Sequence, residues 1–275
     1  MGHSKNRGID FAGRTGSTGA MKHALACGLA ALTLLSPHAA PAMVGGAKAV
    51  PEGPRAVMMI LGSGGTLCTG TAIARDLVLT AAHCAQPGSD YKILDFDAAH
   101  APVLRDVKRV AVHPGFSMKT FLGHRATADV ALLKLAQPLP AKFTTAALDM
   151  TPRRVAPGDR LTFEGYGVTI RGNPKTSGTL RSASLEVTGK PGTLQIRLVD
   201  PVGKGERAGL GACTGDSGGP LFDDVNGTRK IIGVLSWSTG PKASAGCGGL
   251  TGITPLALYL KWITDTAAKM GSPVK

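Results

Sequence analysis

Short segments rich in β-branched and apolar residues recur along the chain, and Gly, Pro and Asn lie between them. Many short strands with frequent turn signals are typical of an all-β sandwich or barrel. Only residues 255–263, where apolar residues recur three and four positions apart, predict a helix. The segments predicted to be strands are residues 56–61, 77–80, 103–112, 130–135, 160–164, 184–188, 194–198 and 231–237.

The first 42 residues do not continue this pattern. A polar start and two basic residues precede an apolar run, residues 24–35, and a small-residue stretch ends at Ala42. This layout predicts a secretory signal peptide, with Met21 as a more natural start than the first residue. The run is shorter than the ~20 residues of a membrane span, and nothing after it continues a core helix. We expect residues 1–42 to be an extension and signal peptide, and residues 43–275 to be the folded domain.

Five cysteines are present, and Cys27 falls within the predicted leader. The other four are Cys68, Cys84, Cys213 and Cys247. An even number in an exported protein predicts two disulfides, although the sequence alone allows three pairings. A zinc site is disfavoured because no Cys-x-x-Cys pair occurs. No metal and no cofactor is predicted.

The formal net charge is +13, while aromatic residues make up only 4% of the chain. The basic residues are scattered along the sequence rather than clustered. Such a charge favours contact with acidic surfaces, but scattered cations with few aromatics do not predict a specific nucleic-acid site.

Three segments carry residues that are suited to nucleophilic catalysis. Residues 79–84 read Leu-Thr-Ala-Ala-His-Cys, residues 129–135 read Asp-Val-Ala-Leu-Leu-Lys-Leu, and residues 212–220 read Ala-Cys-Thr-Gly-Asp-Ser-Gly-Gly-Pro. Together they resemble the signature segments of the trypsin/chymotrypsin-like serine endopeptidases, in that family's order of His, Asp and Ser. An esterase or lipase would carry a different serine turn and the order Ser, Asp, His.

The resemblance implies an all-β fold of two packed six-stranded antiparallel β-barrels with a C-terminal α-helix. The N-terminal barrel would cover residues 43–150 and the C-terminal barrel residues 158–275. The disulfides that the resemblance implies are Cys68–Cys84 and Cys213–Cys247.

A serine hydroxyl needs a nearby base in order to act as a nucleophile. The resemblance assigns the base to His83, the nucleophile to Ser217 and the carboxylate that orients the imidazole to Asp129. The backbone N–H groups of Gly215 and Ser217 would form the oxyanion hole.

Residues 43–46 read Met-Val-Gly-Gly and resemble the start of a mature enzyme of this family, with Met in place of Ile. In the family the new α-amino group pairs with the carboxylate beside the nucleophile, which is Asp216 here. We therefore expect signal peptidase to cut after Ala42, so that one cut exports and activates the protein. Met43 and Asp216 would form the activation pair.

By the same resemblance, the primary specificity pocket includes Gly211, Ala212 and Ser238, with a further wall residue somewhere within residues 248–251. No aspartate occupies these positions, so an uncharged, small-to-medium residue is expected before the scissile bond. The segment expected to pair with the substrate backbone consists of Ser236, Trp237 and Ser238.

The sequence thus predicts a secreted or periplasmic serine endopeptidase, and the simple leader and sparse disulfides suggest a bacterial protein. The expected partners are polypeptide substrates and a protein protease inhibitor. The alternative is a catalytically weak or inactive cationic binding protein on a protease fold.

Overall fold

The computed structural model describes residues 43–274, except residues 98, 124, 190–193 and 226. The predicted leader therefore lies outside the described residues. Among the described residues, no helix is both long enough and apolar enough to cross a membrane.

The chain is built mainly from short strands that run antiparallel to their neighbours. The strands of the N-terminal half are β1 (Lys48–Ala49), β2 (Val57–Gly62), β3 (Leu67–Ala74), β4 (Leu77–Thr80), β5 (Tyr91–Phe96), β6 (Pro102–Val112) and β7 (Ala131–Leu135). Those of the C-terminal half are β8 (Ala147–Leu148), β9 (Arg160–Gly165), β10 (Arg181–Val187), β11 (Ile196–Val199), β12 (Pro220–Val225), β13 (Thr228–Ser238) and β14 (Leu250–Pro255).

Helices are few and short. The α-helices are α1 (Met118–Leu122) and α2 (Leu260–Lys269). Short 3-10 helices occupy Ala82–Cys84, Pro174–Thr176, Pro241–Ala243 and Leu256–Leu258.

The strands form two closed six-stranded antiparallel barrels, as the resemblance implied. The N-terminal barrel closes in the order β2-β3-β4-β7-β6-β5. The C-terminal barrel follows β10-β11-β14-β13-β12-β9, and the pairing of β9 with β10 closes it. β1 extends it beside β10, and the short β8 pairs in parallel with β13.

Alternation along the strands divides the apolar side chains between two environments. Met58 and Ile60 of β2 pack inside the N-terminal barrel. Val57 and Met59, on the other face of β2, join a cluster that includes Tyr166 and residues of β12, β13 and α2. Strands buried on both faces read as continuous apolar runs, which is why β2 and β4 were predictable from sequence.

Two disulfides join the cysteine pairs that the resemblance implied, Cys68–Cys84 in the N-terminal barrel and Cys213–Cys247 in the C-terminal one. The sulfurs of the first pair and the His83 ring lie close enough together to suggest a metal site. Because both sulfurs are bonded to each other, they are not thiolate ligands.

Four barrel strands were not predicted, and the start of the helix was misplaced. The strands not predicted are β3, β5, β12 and β14. β3 is rich in small residues and β14 contains Gly and ends in Pro, so neither has a strong strand signal. The α-helix begins at Leu260, later than predicted, because residues 256–258 form a separate 3-10 turn.

Candidate functional site

The pairing of β4 with β7 brings His83 and Asp129 to the same edge of the N-terminal barrel. Thr80, the last residue of β4, lies opposite Ala131, the first residue of β7. His83 follows β4 in a one-turn 3-10 helix, and Asp129 comes two residues before β7. Antiparallel register therefore places two residues that are 46 positions apart side by side.

The carboxylate of Asp129 is fully buried and holds the histidine at two points. Its Oδ1 accepts a hydrogen bond from the backbone N–H of His83 at 2.9 Å. Its Oδ2 lies 2.8 Å from Nδ1 of the imidazole. This contact favours the proton on Nδ1 and leaves Nε2 free to accept another proton.

Ser236 donates a third hydrogen bond to Asp129, from its Oγ to Oδ2 at 2.6 Å. The register of β13 against β14 shifts between Leu235 and Trp237, so Ser236 is the extra residue of a bulge. A bulge redirects a side chain, and here the hydroxyl points across to the other barrel. The side chain of Ser236 is thus buried against Asp129.

Cys84 lies near both the imidazole of His83 and the backbone of Ser217. The Cys84 sulfur is 3.6 Å from His83 Nε2 and 3.7 Å from the carbonyl oxygen of Ser217. The serine side chain is half-buried. The backbone of Ser217 and Nε2 of His83 thus lie near the same sulfur, while no hydrogen bond between the Ser217 hydroxyl and His83 is found among the described residues.

Both barrels hold the turn that carries Ser217. Thr69 of β3 donates its N–H to the Ser217 carbonyl at 2.8 Å, and Gly218 donates to the Leu235 carbonyl at 2.7 Å. Gly218 has a positive φ of 81°, and a Cβ there would lie 2.1 Å from Thr80 Oγ1. Only glycine fits this position, because the turn lies directly against the end of β4.

The backbone N–H groups of Gly215 and Ser217 are free of protein acceptors within the described part of the chain. The N–H groups of Asp216, Gly218 and Gly219, in contrast, donate to carbonyl oxygens. Gly215 has a positive φ of 96°. Two unpaired donors beside a serine are what a developing oxyanion requires.

Asp216 is fully buried, and its carboxyl accepts hydrogen bonds from the backbone N–H groups of Gly167 and Cys213, at 2.8 and 2.9 Å. Within the described residues it has no cationic partner. Burial raises the pKa of this carboxyl from 3.8 to about 7, although the two amides oppose the rise. A positively charged group close to this carboxyl would stabilise its ionised form.

The segment that starts at Met43 packs close to this region. The side chain of Met43 is fully buried in the core cluster that also contains Ala212. The Val44 carbonyl accepts a hydrogen bond from Gly211 N–H at 3.2 Å. A Cβ on Gly45 would lie 2.2 Å from the backbone of Gly209, so only glycine permits this approach.

Strand register relates Ser238 to one of residues 248–251, among which the sequence left the further pocket residue open. Ser238 of β13 lies opposite Thr251 of β14. Thr251 is fully buried, and its Oγ1 accepts a hydrogen bond from Ala212 N–H at 3.2 Å. A Cβ on Gly211 would lie 3.0 Å from the Gly248 backbone, so the backbones of Gly211 and Gly248 lie close together.

Trp237 occupies the strand expected to meet the substrate. Its ring packs over Gly252, where a Cβ would lie 2.1 Å from the indole. The indole N–H is buried without a partner among the described residues.

Sequence reasoning missed Phe121, which stacks on the histidine. The ring centroids of Phe121 and His83 are 4.4 Å apart, with an interplanar angle of 15°. Phe121 belongs to α1, whose N-terminus is capped by the Ser117 hydroxyl. The motif Ser-Met-Lys-Thr is typical of a helix start and was the available signal for α1. It does not indicate that Phe121 of this helix contacts the histidine.

Comparison with known proteins agrees with this arrangement. Residues 43–263 match the family model described as Trypsin. Human kallikrein-10 is 30% identical over 212 residues, which cover 71% of this chain and 72% of the relative. Rat chymotrypsin-like elastase family member 1 is 30% identical over 251 residues, covering 82% and 90%. Human kallikrein-11 is 27% identical over 211 residues, covering 73% and 71%.

Proposed function

The chain belongs to the trypsin family of serine peptidases, and from this premise we propose that it is an exported serine endopeptidase. The observation that carries the proposal is the buried Asp129 that orients His83 towards the turn of Ser217. The substrates of such an enzyme are polypeptides, and its reaction passes through an acyl-enzyme.

In the first step, His83 Nε2 takes the proton of the Ser217 hydroxyl while the serine oxygen attacks the peptide carbonyl carbon. Asp129 keeps the Nδ1 proton in place and stabilises the imidazolium that forms. The imidazolium then gives its proton to the leaving amine, and the acyl-enzyme remains on Ser217. Water, deprotonated by the same histidine, releases the acid product.

The carbonyl oxygen becomes negative in each tetrahedral intermediate. The N–H groups of Gly215 and Ser217 would bind it, since both lack protein acceptors in the described structure. One such donor is worth about 3 kcal/mol of barrier height.

Activation would follow a cut after Ala42. The free α-amino group of Met43 would become the positive partner of Asp216, whose pKa near 7 reflects burial without a cation. This pairing would hold the turn of Gly215 and Ser217 in its donor geometry. The leader, the export and the site of the cut are part of this proposal.

The pocket formed by Gly211, Ala212, Ser238 and Thr251 would receive the residue before the scissile bond. Thr251, and the close approach of Gly211 to Gly248, would limit the depth of this pocket. None of the four carries a charge, so a Lys or Arg side chain would lack a partner. We propose a preference for small, uncharged residues at this position, with the substrate backbone pairing along residues 236–238.

A mixed peptide library tests the proposal directly. The purified protein and its Ser217→Ala variant are incubated with the library, and the cleavage sites are mapped by mass spectrometry. The proposal predicts cleavage by the first protein only, after small uncharged residues. No cleavage by a protein with Met43 as its free N-terminus would instead favour the cationic binding protein.

A further inference from the structure

A cavity of about 740 Å³ lies on the outer face of the C-terminal barrel and is lined by none of the residues assigned to catalysis or to the specificity pocket. Strand alternation explains its lining. Leu161 and Phe163 of β9 point into the barrel core, so Arg160 and Thr162 point outward. The same alternation in β10 turns Ser182 and Ser184 to the outside. The sheet surface in the recess therefore carries the Arg160 side chain and the hydroxyls of Thr162, Ser182 and Ser184.

Pairing of three strands sets the positions of these groups. Lys48 of β1 lies opposite Ser182, and Ser184 lies opposite Thr162. The segment that contains Arg207 closes the other side, held by the tight approach of Gly45 to Gly209 described above. Cations and hydroxyls thus line one recess from several directions.

The three cations of the lining, Lys48, Arg160 and Arg207, have no carboxylate partner within the described ranges. The acidic side chain nearest to Arg160 in the register, Glu186, is already paired with Lys204 at 2.6 Å. Arg160 therefore forms no ion pair with that strand.

Asp200 is the single carboxylate of the lining, and it faces inward. It is 9% exposed, and its two oxygens accept hydrogen bonds from the N–H groups of Val202 and Gly203, at 3.2 and 2.9 Å. These backbone donors hold the Asp200 carboxylate. It forms no ion pair with the three cations within the described residues.

We propose that this recess binds the phosphate or sulfate esters of an anionic polysaccharide. The cations would bind the esters, and Thr162, Ser182 and Ser184 would exchange hydrogen bonds with sugar hydroxyls. The lining contains no aromatic residue on which a nucleobase could stack, which disfavours nucleic acid as the ligand. The proposal does not depend on peptidase activity.

Binding of sucrose octasulfate and of inositol hexakisphosphate, measured by calorimetry on the Ser217→Ala protein, tests this site. Lys48→Glu and Arg160→Glu should each raise the Kd by about tenfold, as expected for loss of a charge-assisted hydrogen bond. Lys108→Glu is the matched control, because Lys108 is an exposed lysine of β6 in the other barrel. It should raise the Kd by less than about twofold, since only net charge changes.

The ester that binds more tightly identifies the chemistry of the ligand. Unchanged unfolding midpoints in the variants show that the fold is intact. Equal weakening in Lys108→Glu, or none in Lys48→Glu and Arg160→Glu, would overturn the assignment. So would a single-stranded DNA of equal charge that binds as tightly and through the same residues.

Discussion

Each barrel buries one aspartate beside the candidate site, and the two carboxylates are held differently. Asp129, at the edge of the N-terminal barrel, accepts hydrogen bonds from His83 N–H, from the Ser236 hydroxyl and from the imidazole. Asp216, in the C-terminal barrel, accepts hydrogen bonds from two backbone amides of the described residues, and its pKa rises to about 7 because of burial. Asp129 therefore has its hydrogen-bond partners within the fold, whereas Asp216 has no cationic partner among the described residues.

The difference divides the proposed chemistry into a preformed half and a conditional half. The base and its orienting carboxylate are brought together by the pairing of β4 with β7, and Ser236 of the other barrel completes the hydrogen bonds of the carboxylate. The serine turn depends in addition on Asp216, a buried acid whose charged form is costly until a positive group pairs with it. Export of the chain would therefore control the nucleophile side of the site rather than the base.

The strongest way to break the preformed half is Asp129→Asn. The amide would favour the wrong imidazole tautomer, so kcat should fall by about 10⁴. Steady-state cleavage of a small-residue peptide measures this. Asp95→Asn is the control, because Asp95 is also buried in this barrel but pairs with Arg105 and Lys142. A similar loss of activity in the control would show that burial, and not orientation of His83, explains the effect.

The conditional half is tested by blocking the α-amino group of Met43. A protein with two alanines added before Met43 should lose about 10²-fold or more in kcat/KM, comparable to loss of one oxyanion donor. Asp216→Asn should have the same effect in the protein that starts at Met43. Adding the alanines to the Asp216→Asn protein should then cost nothing further. If the two losses of kcat/KM multiply instead, the amino group and Asp216 act separately.

Stability against pH sharpens the same comparison. In the blocked protein the pKa of Asp216 is about 7, against 3.8 for an ordinary aspartate. The folded state then holds a proton that the unfolded state has released, so stability falls as pH rises from about 4 to about 7. The free Met43 amine should remove this fall. Urea unfolding of both forms across this range gives the difference, and parallel curves would contradict the pairing.

The smallest expected effect concerns the pocket wall. Thr251→Gly should raise the ratio of kcat/KM for a Phe substrate over an Ala substrate by about tenfold, since it adds the space of a small side chain. Thr251→Ser keeps the hydroxyl that accepts from Ala212 N–H and should change the ratio less. A ratio that stays constant in Thr251→Gly would place the specificity elsewhere.

The sequence was sufficient to predict the fold and the contact between His83 and Asp129. His83 and Asp129 each adjoin an apolar run that becomes a barrel strand, so the motifs and the strands support each other. Cysteine pairing followed from the family resemblance. These features depend on local patterns that remain visible in the chain.

The features that could not be predicted depend on register or on contacts between distant segments. Thr251 lies opposite Ser238 because of the bulge at Ser236, which shifts the pairing of β13 and β14 by one residue. Phe121 reaches His83 because a separate short helix folds over it. Neither a bulge nor a stacking contact leaves a periodic signal in sequence.

Covalent labelling of the serine tests the central claim most directly. A sulfonyl fluoride is added to the protein that starts at Met43, and intact mass and peptide mapping locate the adduct. The account predicts a single adduct on Ser217, formed much more slowly in Asp129→Asn and in the alanine-extended protein. Absence of the adduct, or equal labelling rates in all three proteins, would contradict a serine activated by His83 and Asp129.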